Sequence, residues 1–307
     1  MEAESRKKFD FKGLLVGRRV LRIVSACFGY LCLSVLSLVM LYPLIYMFLA
    51  GFFTAEEYNT LLESGEMGLI PIPTAWTVKN YLAIFALSDY PMLPVYFLNS
   101  LARTVYSTGL TVITVMMCGY AFSRLRFKGS RVLLLGLLFC SMMPGTMTLV
   151  PTFIMYSRLG MYDTWWVYLI GGPAINVMGT FVMKQYLDAV PVALDESAKI
   201  DGANTAQIIF RILLPVSKPM VTYIIITTAM SVWNDWSTGF FYTESDYLQL
   251  LPSAISQLAL NAANSTTHPD YPLIITLGLI VTIPALVLYL VFQKYIVEGL
   301  AHVGIKG

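Results

Sequence analysis

The sequence from Asp195 to Pro219 reads DESAKIDGANTAQIIFRILLPVSKP and forms a charged stretch between two long apolar runs. A helix is predicted to begin near Asp188 and Pro191, with acidic residues in its early turns, where the positive end of the helix dipole favours them. Gly202 stands where a left-handed cap would end that helix. The stretch therefore predicts a short polar helix followed by a tight turn.

A second helix is predicted directly after this turn. Asn204 and Gln207 have the spacing of a capping box, in which each residue bonds the backbone of the other. The apolar residues that follow favour a helix, which Pro215 is expected to stop because proline has no N–H to donate. The pattern thus predicts two helices in one loop.

The composition of the whole chain indicates a membrane protein. Hydrophobic residues make up 57% and charged residues only 12%, whereas soluble domains have roughly half and about a quarter. Its apolar runs approach the ~20 residues that a helix needs to cross ~30 Å of hydrocarbon. Backbone groups in hydrocarbon must bond internally, so an all-α integral membrane fold is predicted.

Six membrane spans are predicted from these apolar runs. They cover residues 20–52, 95–122, 132–155, 165–187, 220–242 and 273–292. Residues 1–19 form a basic segment before the membrane domain of residues 20–292, the polar loop 188–219 lies between spans four and five, and residues 293–307 form a tail. An even number of spans places both termini on one side.

The basic residues indicate which side that is. With the N-terminus inside, nearly all Lys and Arg residues fall in cytoplasmic segments, as the positive-inside rule requires. The first loop on that side contributes Arg124, Arg126, Lys128 and Arg131. These clusters are interpreted as topology signals, which argues against nucleic-acid binding, and both termini and the 188–219 loop are predicted to be cytoplasmic.

No catalytic or metal-ligating residues are predicted. The two histidines, His268 and His302, lie near no cysteine or carboxylate cluster. The cysteines Cys27, Cys32, Cys118 and Cys140 all fall in apolar spans without metal-ligand spacing, so they are interpreted as packing residues. The sequence predicts no cofactor bound by this chain.

The 188–219 loop resembles the cytoplasmic loop that permease subunits of ABC importers share. In that family the loop reads EAA, three residues, Gly, nine residues, then I-x-L-P. Here Glu196, Ser197 and Ala198 precede Gly202 by the same interval, and Ile212 to Pro215 follow at the same distance. Ser197 replaces the first alanine of the motif, which keeps a small side chain at that position.

The resemblance extends over most of the chain. Further matching segments are Asn99-Ser100-Leu101, the loop 123–129, Met143-Pro144-Gly145 with Val150-Pro151, Trp233-Asn234 and the tail from Gln293 to Gly307. Together they are similar to carbohydrate importer permeases of the maltose-transporter type, most of all to the second permease. This resemblance implies a subunit of the bacterial cytoplasmic membrane that carries an oligosaccharide.

Partners follow from the same resemblance. It implies a second permease that completes a heterodimer, two ATPase subunits that bind ATP and Mg, and an extracytoplasmic solute-binding protein. The loop helix would act as a coupling helix that docks on an ATPase, with Gly202 permitting close backbone approach. The implied docking residues are Glu196, Ser197, Ala198, Asp201, Gly202, Ile212 and Pro215.

Four residues are candidates for a substrate pathway or gate. Asp235 is an ionisable residue within the predicted fifth span, between Trp233 and Trp236, and either lies in the outer aromatic belt or faces the pathway. Trp233 and Asn234 accompany it. Asn176 follows Gly171, Gly172 and Pro173, a combination that either breaks a helix at a cavity or packs on a neighbouring helix.

Two other classes of function remain open at this point. An ion-coupled carrier would carry paired broken helices or intramembrane charges in two repeated halves, and no such repeat is recognised. A membrane scaffold would use the same loop to hold a partner without transport. Within ABC importers, related loops also occur in permeases for non-sugar solutes.

Overall fold

A computed structural model describes residues 11–86, 91–125, 127–170, 176–264 and 269–304. Within these ranges every regular element is helical and no strand occurs, which confirms the predicted all-helical class. The helices, in chain order, are α1 Phe11–Ala50, α2 Ala55–Ser64, α3 Lys79–Ala86, α4 Leu93–Arg124, α5 Ser130–Ser141, α6 Gly145–Arg158, α7 Trp166–Leu169, α8 Val177–Ala189, α9 Ala193–Ile200, α10 Thr205–Gln207, α11 Leu214–Val216, α12 Lys218–Trp233, α13 Ser237–Tyr242, α14 Leu251–Asn264 and α15 Tyr271–Gly304. A π-helical segment, Ile208–Leu213, joins α10 to α11, and a 3-10 turn, Asp246–Leu248, precedes α14.

Three of these helices are long and apolar enough to cross a membrane. They contain the stretches Ile23–Ala50, Leu93–Arg124 and Tyr271–Gln293. They correspond to the first, second and sixth predicted spans. The count rises to at most five when each of two bent helix pairs is taken as one span. The six spans predicted from the sequence are therefore not all present as continuous helices in the described residues.

The predicted third span is a broken helix. α5 and α6 meet at an angle of 94°, and Pro144 stands immediately before α6 in an extended conformation with ψ 132°. Proline disfavours helical geometry in the residue before it, so α5 ends ahead of Met143. Pro151, by contrast, lies inside α6. Residues 132–155, predicted as one span, thus consist mainly of two helices joined at a sharp bend.

The predicted fourth and fifth spans are also interrupted. Residues 165–187 contain the short α7 and most of α8, and Gly171, Gly172 and Pro173 between them lie outside the described residues. In the fifth span α12 ends at Trp233, and α13 begins at Ser237. Asp235, which the sequence places within the fifth span, therefore lies in a break between two helices.

Two clusters of buried apolar side chains hold the helices together at opposite ends of α4. At its C-terminal end, Met116 and Tyr120 pack with Met183 of α8, Leu213 of the π-helical segment and Ile224 of α12. The second cluster, at the N-terminal end, contains Leu93, Trp233, Leu251, Leu273 and Leu277. The first cluster supports the loop 188–219.

The outer surface of the helices is apolar. Along α1, side chains such as Phe28, Leu33 and Met40 are between 61% and 75% exposed. Soluble monomers rarely expose contiguous apolar patches beyond a few hundred Å². This surface fits a helix that lies against lipid or against another membrane subunit.

Candidate functional site

α9 is the short polar helix of the loop. It spans Ala193–Ile200, with Asp195 and Glu196 in its first turn. Asp188, where the sequence places the start of this helix, belongs instead to α8, which continues to Ala189. The chain leaves α8 at Val190 in an extended conformation. α9 therefore begins after Pro191 rather than at Asp188.

The predicted cap at Gly202 is confirmed. Gly202 has φ 83°, and its N–H donates to the Lys199 carbonyl at 3.0 Å while the Ala203 N–H donates to the Ala198 carbonyl at 2.9 Å. These two bonds are those of a Schellman motif. Apart from its two chain neighbours, no heavy atom of the described residues lies within 4 Å of a Cβ built on Gly202. Within this chain, glycine is required by the backbone angle and not by close packing.

The predicted capping box is confirmed as well. The Gln207 N–H donates to Asn204 Oδ1 at 2.9 Å, and the Asn204 N–H donates to Gln207 Oε1 at 2.8 Å. Pro215, however, lies within α11 and does not end the helix, which continues to Val216. The wider π-helical turns come directly before it. The chain then bends by 87° into α12.

The residues implied for docking do not share one face. Glu196, Ser197, Asp201, Gly202 and Pro215 are exposed. Ala198 is 6% exposed and packs into the first apolar cluster, and Ile212 is partly buried against the same cluster. Ala198 and Ile212 therefore hold α9 and the π-helical segment to the body of this chain.

Three apolar side chains stand beside the exposed docking residues. Leu194, Ile200 and Phe210 are 41%, 86% and 38% exposed. They were not among the docking residues implied by the motif. Leucine and isoleucine among the charged residues of this helix are a signal that the sequence did contain. We name Leu194, Glu196, Ser197, Ile200, Asp201 and Phe210 the loop surface.

α9 is tied to the end of α4 by a buried ion pair. Arg124, the last residue of α4, donates from Nε to Asp195 Oδ2 at 2.9 Å and from a terminal nitrogen to the Val190 carbonyl at 2.9 Å. The two side chains are 7% and 3% exposed. The sequence pattern assigns Arg124 to the topology signals and Asp195 to the dipole of α9, so the pair was missed.

A second ion pair lies in the N-terminal half of α4. Arg103 donates to Asp235 Oδ2 at 2.5 Å, and its side chain is 3% exposed. The guanidinium carbon also lies 5.1 Å from the centre of the Tyr168 ring, within the range of a cation–π contact. Asp235 Oδ1 accepts from the N–H groups of Ser237 and Thr238 at 3.1 and 3.2 Å. Asp235 thus accepts from the first two N–H groups of α13 and neutralises a buried arginine.

The other pathway candidates also have partners within the chain. Trp233 is buried, and its Nε1 donates to the Val281 carbonyl at 3.0 Å. Asn176 accepts from the Gly179 N–H at 2.7 Å and begins α8. Asn234 donates to the Met230 carbonyl at 2.9 Å and is exposed. Asn176 therefore caps a helix, and Asn234 is the most exposed of the four candidates.

Fold and site define a class: an all-helical, multi-pass membrane protein that presents a short polar helix with exposed apolar residues at one end of its bundle. A family model described as "Binding-protein-dependent transport system inner membrane component" matches residues 112–302. The chain belongs to this family, and is a multi-pass membrane subunit of a transport system rather than an enzyme.

Known proteins resemble the chain over almost its whole length. It is 32% identical to the galactooligosaccharides transport system permease protein GanQ of Bacillus subtilis, over 96% of this chain and 100% of GanQ. It is 30% identical to the inner membrane ABC transporter permease protein YcjP of Escherichia coli, over 91% and 96% of the two chains. A crystal structure of a bacterial ABC transporter that imports the acidic polysaccharide alginate shares the fold, with a TM-score of 0.73, 22% identity and coverage of 96% and 99%.

Proposed function

We propose that this chain is one of two permeases in an ATP-driven ABC importer for an oligosaccharide. Its family, and its similarity to GanQ over 96% of its length, support import driven through a binding protein. The observation that carries the proposal is the loop surface, because a polar loop with a fixed helix and an 86% exposed isoleucine fits a protein partner better than solvent.

The chain crosses the bilayer six times in this proposal, with interrupted helices in the third, fourth and fifth crossings. Both termini and the 188–219 loop face the cytoplasm, and α2 faces outward. Irregular backbone is tolerated at membrane depth where protein or a water-filled cavity surrounds it. The break at Asn234 and Asp235 is held by Arg103, which supports such a position.

The partners divide the work. Two ATPase subunits bind ATP and Mg, and closure of the ATPase dimer pushes the loop surface and rocks the helices between inward-facing and outward-facing states. A second permease completes the pathway, and an extracytoplasmic binding protein delivers the sugar. Asn234, as the exposed pathway candidate, is proposed to face the substrate route, while Trp233 and Asn176 hold the framework.

The test is a pull-down of tagged permease from its native membrane. Wild-type protein is expected to retain a second permease and an ATPase. Ile200→Asp places a charge in the loop surface and is expected to lose the ATPase alone, whereas the matched control Ile200→Leu retains it. Gly202→Trp should act like Ile200→Asp, because the indole projects from an open position beside the loop surface.

Substrate class needs a separate measurement. In the purified complex, ATP hydrolysis is expected to rise when the binding protein is added with a galactooligosaccharide mixture, and not with a mixed peptide pool. A response to peptides alone would overturn the sugar assignment. A complex that contains no ATPase, even after gentle crosslinking, would favour the scaffold or the ion-coupled carrier.

A further inference from the structure

The end of α4 holds the loop at two places. Arg124 bonds Asp195 in α9 and the carbonyl of Val190 in the turn before it. Its neighbour Ser123 donates to Asp188 Oδ1 at 2.7 Å, at the end of α8. Two consecutive residues of α4 therefore hold both sides of the corner between α8 and α9.

α9 has few other attachments to the body of the chain. Its only buried residues, among those described, are Asp195 and Ala198. Ala198 contributes only a single methyl group to the apolar cluster. A contact this small does little to fix the orientation of α9. The guanidinium of Arg124, by contrast, fixes two acceptors at 2.9 Å each in the geometry of its planar fork.

The ion pair between Arg124 and Asp195 is buried and therefore differs from a surface ion pair. Both side chains are at most 7% exposed, so water and salt screen their attraction little. Asp195 Oδ1 has no hydrogen-bond partner among the described residues, so Arg124 supplies most of what stabilises that carboxylate. Separating the two groups would leave a buried charge uncompensated, which is strongly unfavourable.

We propose that Arg124 is a positioning residue that locks α9 to α4, so that a displacement of α9 by its partner moves α4 as one body with it. The inference rests on the proposed docking of an ATPase at the loop surface. Without the lock, α9 would move by bending the turn around Val190, and α4 would stay behind. The ion pair thus determines which membrane helix receives the motion.

The test measures the distance between α9 and α4, the two helices that the Arg124–Asp195 ion pair joins, in the complete complex. Spin labels are placed at Lys199→Cys in α9 and Met117→Cys in α4, both exposed positions, in a background without the native cysteines. In the otherwise wild-type complex, we expect the same label distance without nucleotide and with ATP trapped by vanadate. With Arg124→Gln, the distance is expected to change on ATP trapping, because α9 moves without α4.

Two further variants separate positioning from folding. The exchange Arg124→Asp with Asp195→Arg restores an ion pair and is expected to recover the constant distance. Arg131→Gln, a matched loss of an exposed arginine in the neighbouring α5, is expected to leave the distance unchanged. If Arg124→Gln does not assemble, Arg124→Lys replaces it, because lysine keeps the charge but lacks the planar guanidinium. A smaller change in the label distance is then expected on ATP trapping.

The outcomes are distinct for the two proposals. A constant distance in an assembled Arg124→Gln or Arg124→Lys complex that still hydrolyses ATP would overturn the lock. Absence of an ATPase from the wild-type complex would overturn the proposed function instead. Transport coupling is a second readout: ATP hydrolysed per sugar imported should rise about tenfold in Arg124→Gln, the size of effect that disrupting an allosteric coupling residue produces.

Discussion

At the scale of single residues, Gly202 shows how a backbone angle limits the sequence. Its φ of 83° costs an L-residue about 1 kcal/mol, whereas asparagine tolerates this region better. We therefore expect Gly202→Ala to weaken the cap of α9 by about 1 kcal/mol and Gly202→Asn by less. Hydrogen exchange of the peptide covering residues 198–204 measures this, and equal protection in all three proteins would contradict it.

Asp163 gives a second prediction at this scale. It lies between α6 and α7 and accepts from the N–H groups of Glu244 and Ser245 at 2.8 Å each. Burial raises the pKa of its carboxyl, but the hydrogen bonds from Ser245 and Glu244 outweigh burial and lower it overall. Its contribution to stability is therefore complete above the unfolded pKa of about 3.9 and is lost as the pH falls through the lowered pKa.

The corresponding variant is Asp163→Asn. Asparagine tolerates the positive φ of 54° at this position, so the change removes charge without adding backbone strain. We expect a loss of about 1 kcal/mol at pH 7, since a hydrogen bond to a charged acceptor is weakened. Melting temperatures of wild type and variant should converge as the pH falls below 4, and a constant difference would contradict the assignment.

At the scale of elements, the break between α12 and α13 depends on one carboxylate. Asp235→Asn keeps an acceptor for the start of α13 but leaves Arg103, which is 3% exposed, without its counter-charge. Removing one partner of a buried pair costs roughly 3 kcal/mol or more. We expect a correspondingly lower melting temperature for the purified protein.

A double-mutant cycle checks the physical cause. Adding Arg103→Leu to Asp235→Asn removes the uncompensated charge, so the double variant should be more stable than Asp235→Asn alone. Thr238→Val, which removes one hydroxyl bonded to Asp235, serves as a milder control. Additive losses at Arg103 and Asp235 would show that the pair is not coupled.

At the scale of the whole molecule, the proposed topology places α2 and α9 on opposite sides of the membrane. Ser64 at the end of α2 and Lys199 in α9 are both exposed. In a background without the native cysteines, a membrane-impermeant maleimide should label Ser64→Cys in intact spheroplasts and Lys199→Cys only after permeabilisation. Labelling of both positions in intact spheroplasts would rule out the proposed six crossings.

Some features of this chain were readable from the sequence because they are local. The cap at Gly202 and the box between Asn204 and Gln207 join residues at most five positions apart, so spacing alone predicts them. The apolar composition likewise predicts helices in a bilayer, since hydrocarbon leaves the backbone few other ways to satisfy its hydrogen bonds.

Helix continuity was harder to predict. Apolar content is the same in a straight and a broken span, so it marks the lipid-facing runs but not the 94° bend between α5 and α6. Pro144 is a local reason for that bend, whereas Pro151 remains inside α6. Neighbouring helices decide whether a given proline breaks a span, and their positions are not visible in one stretch of sequence.

The sequence by itself thus determined the membrane class, the family motif and the two caps that shape the 188–219 loop. Only the tertiary structure decided which charges meet. Arg124 and Asp195 are 71 residues apart, and Arg103 and Asp235 are 132 residues apart. Burial, which makes the loss of either partner costly, arises only when several helices pack around the pair, so no periodicity or spacing could distinguish Arg124 from the exposed Arg131.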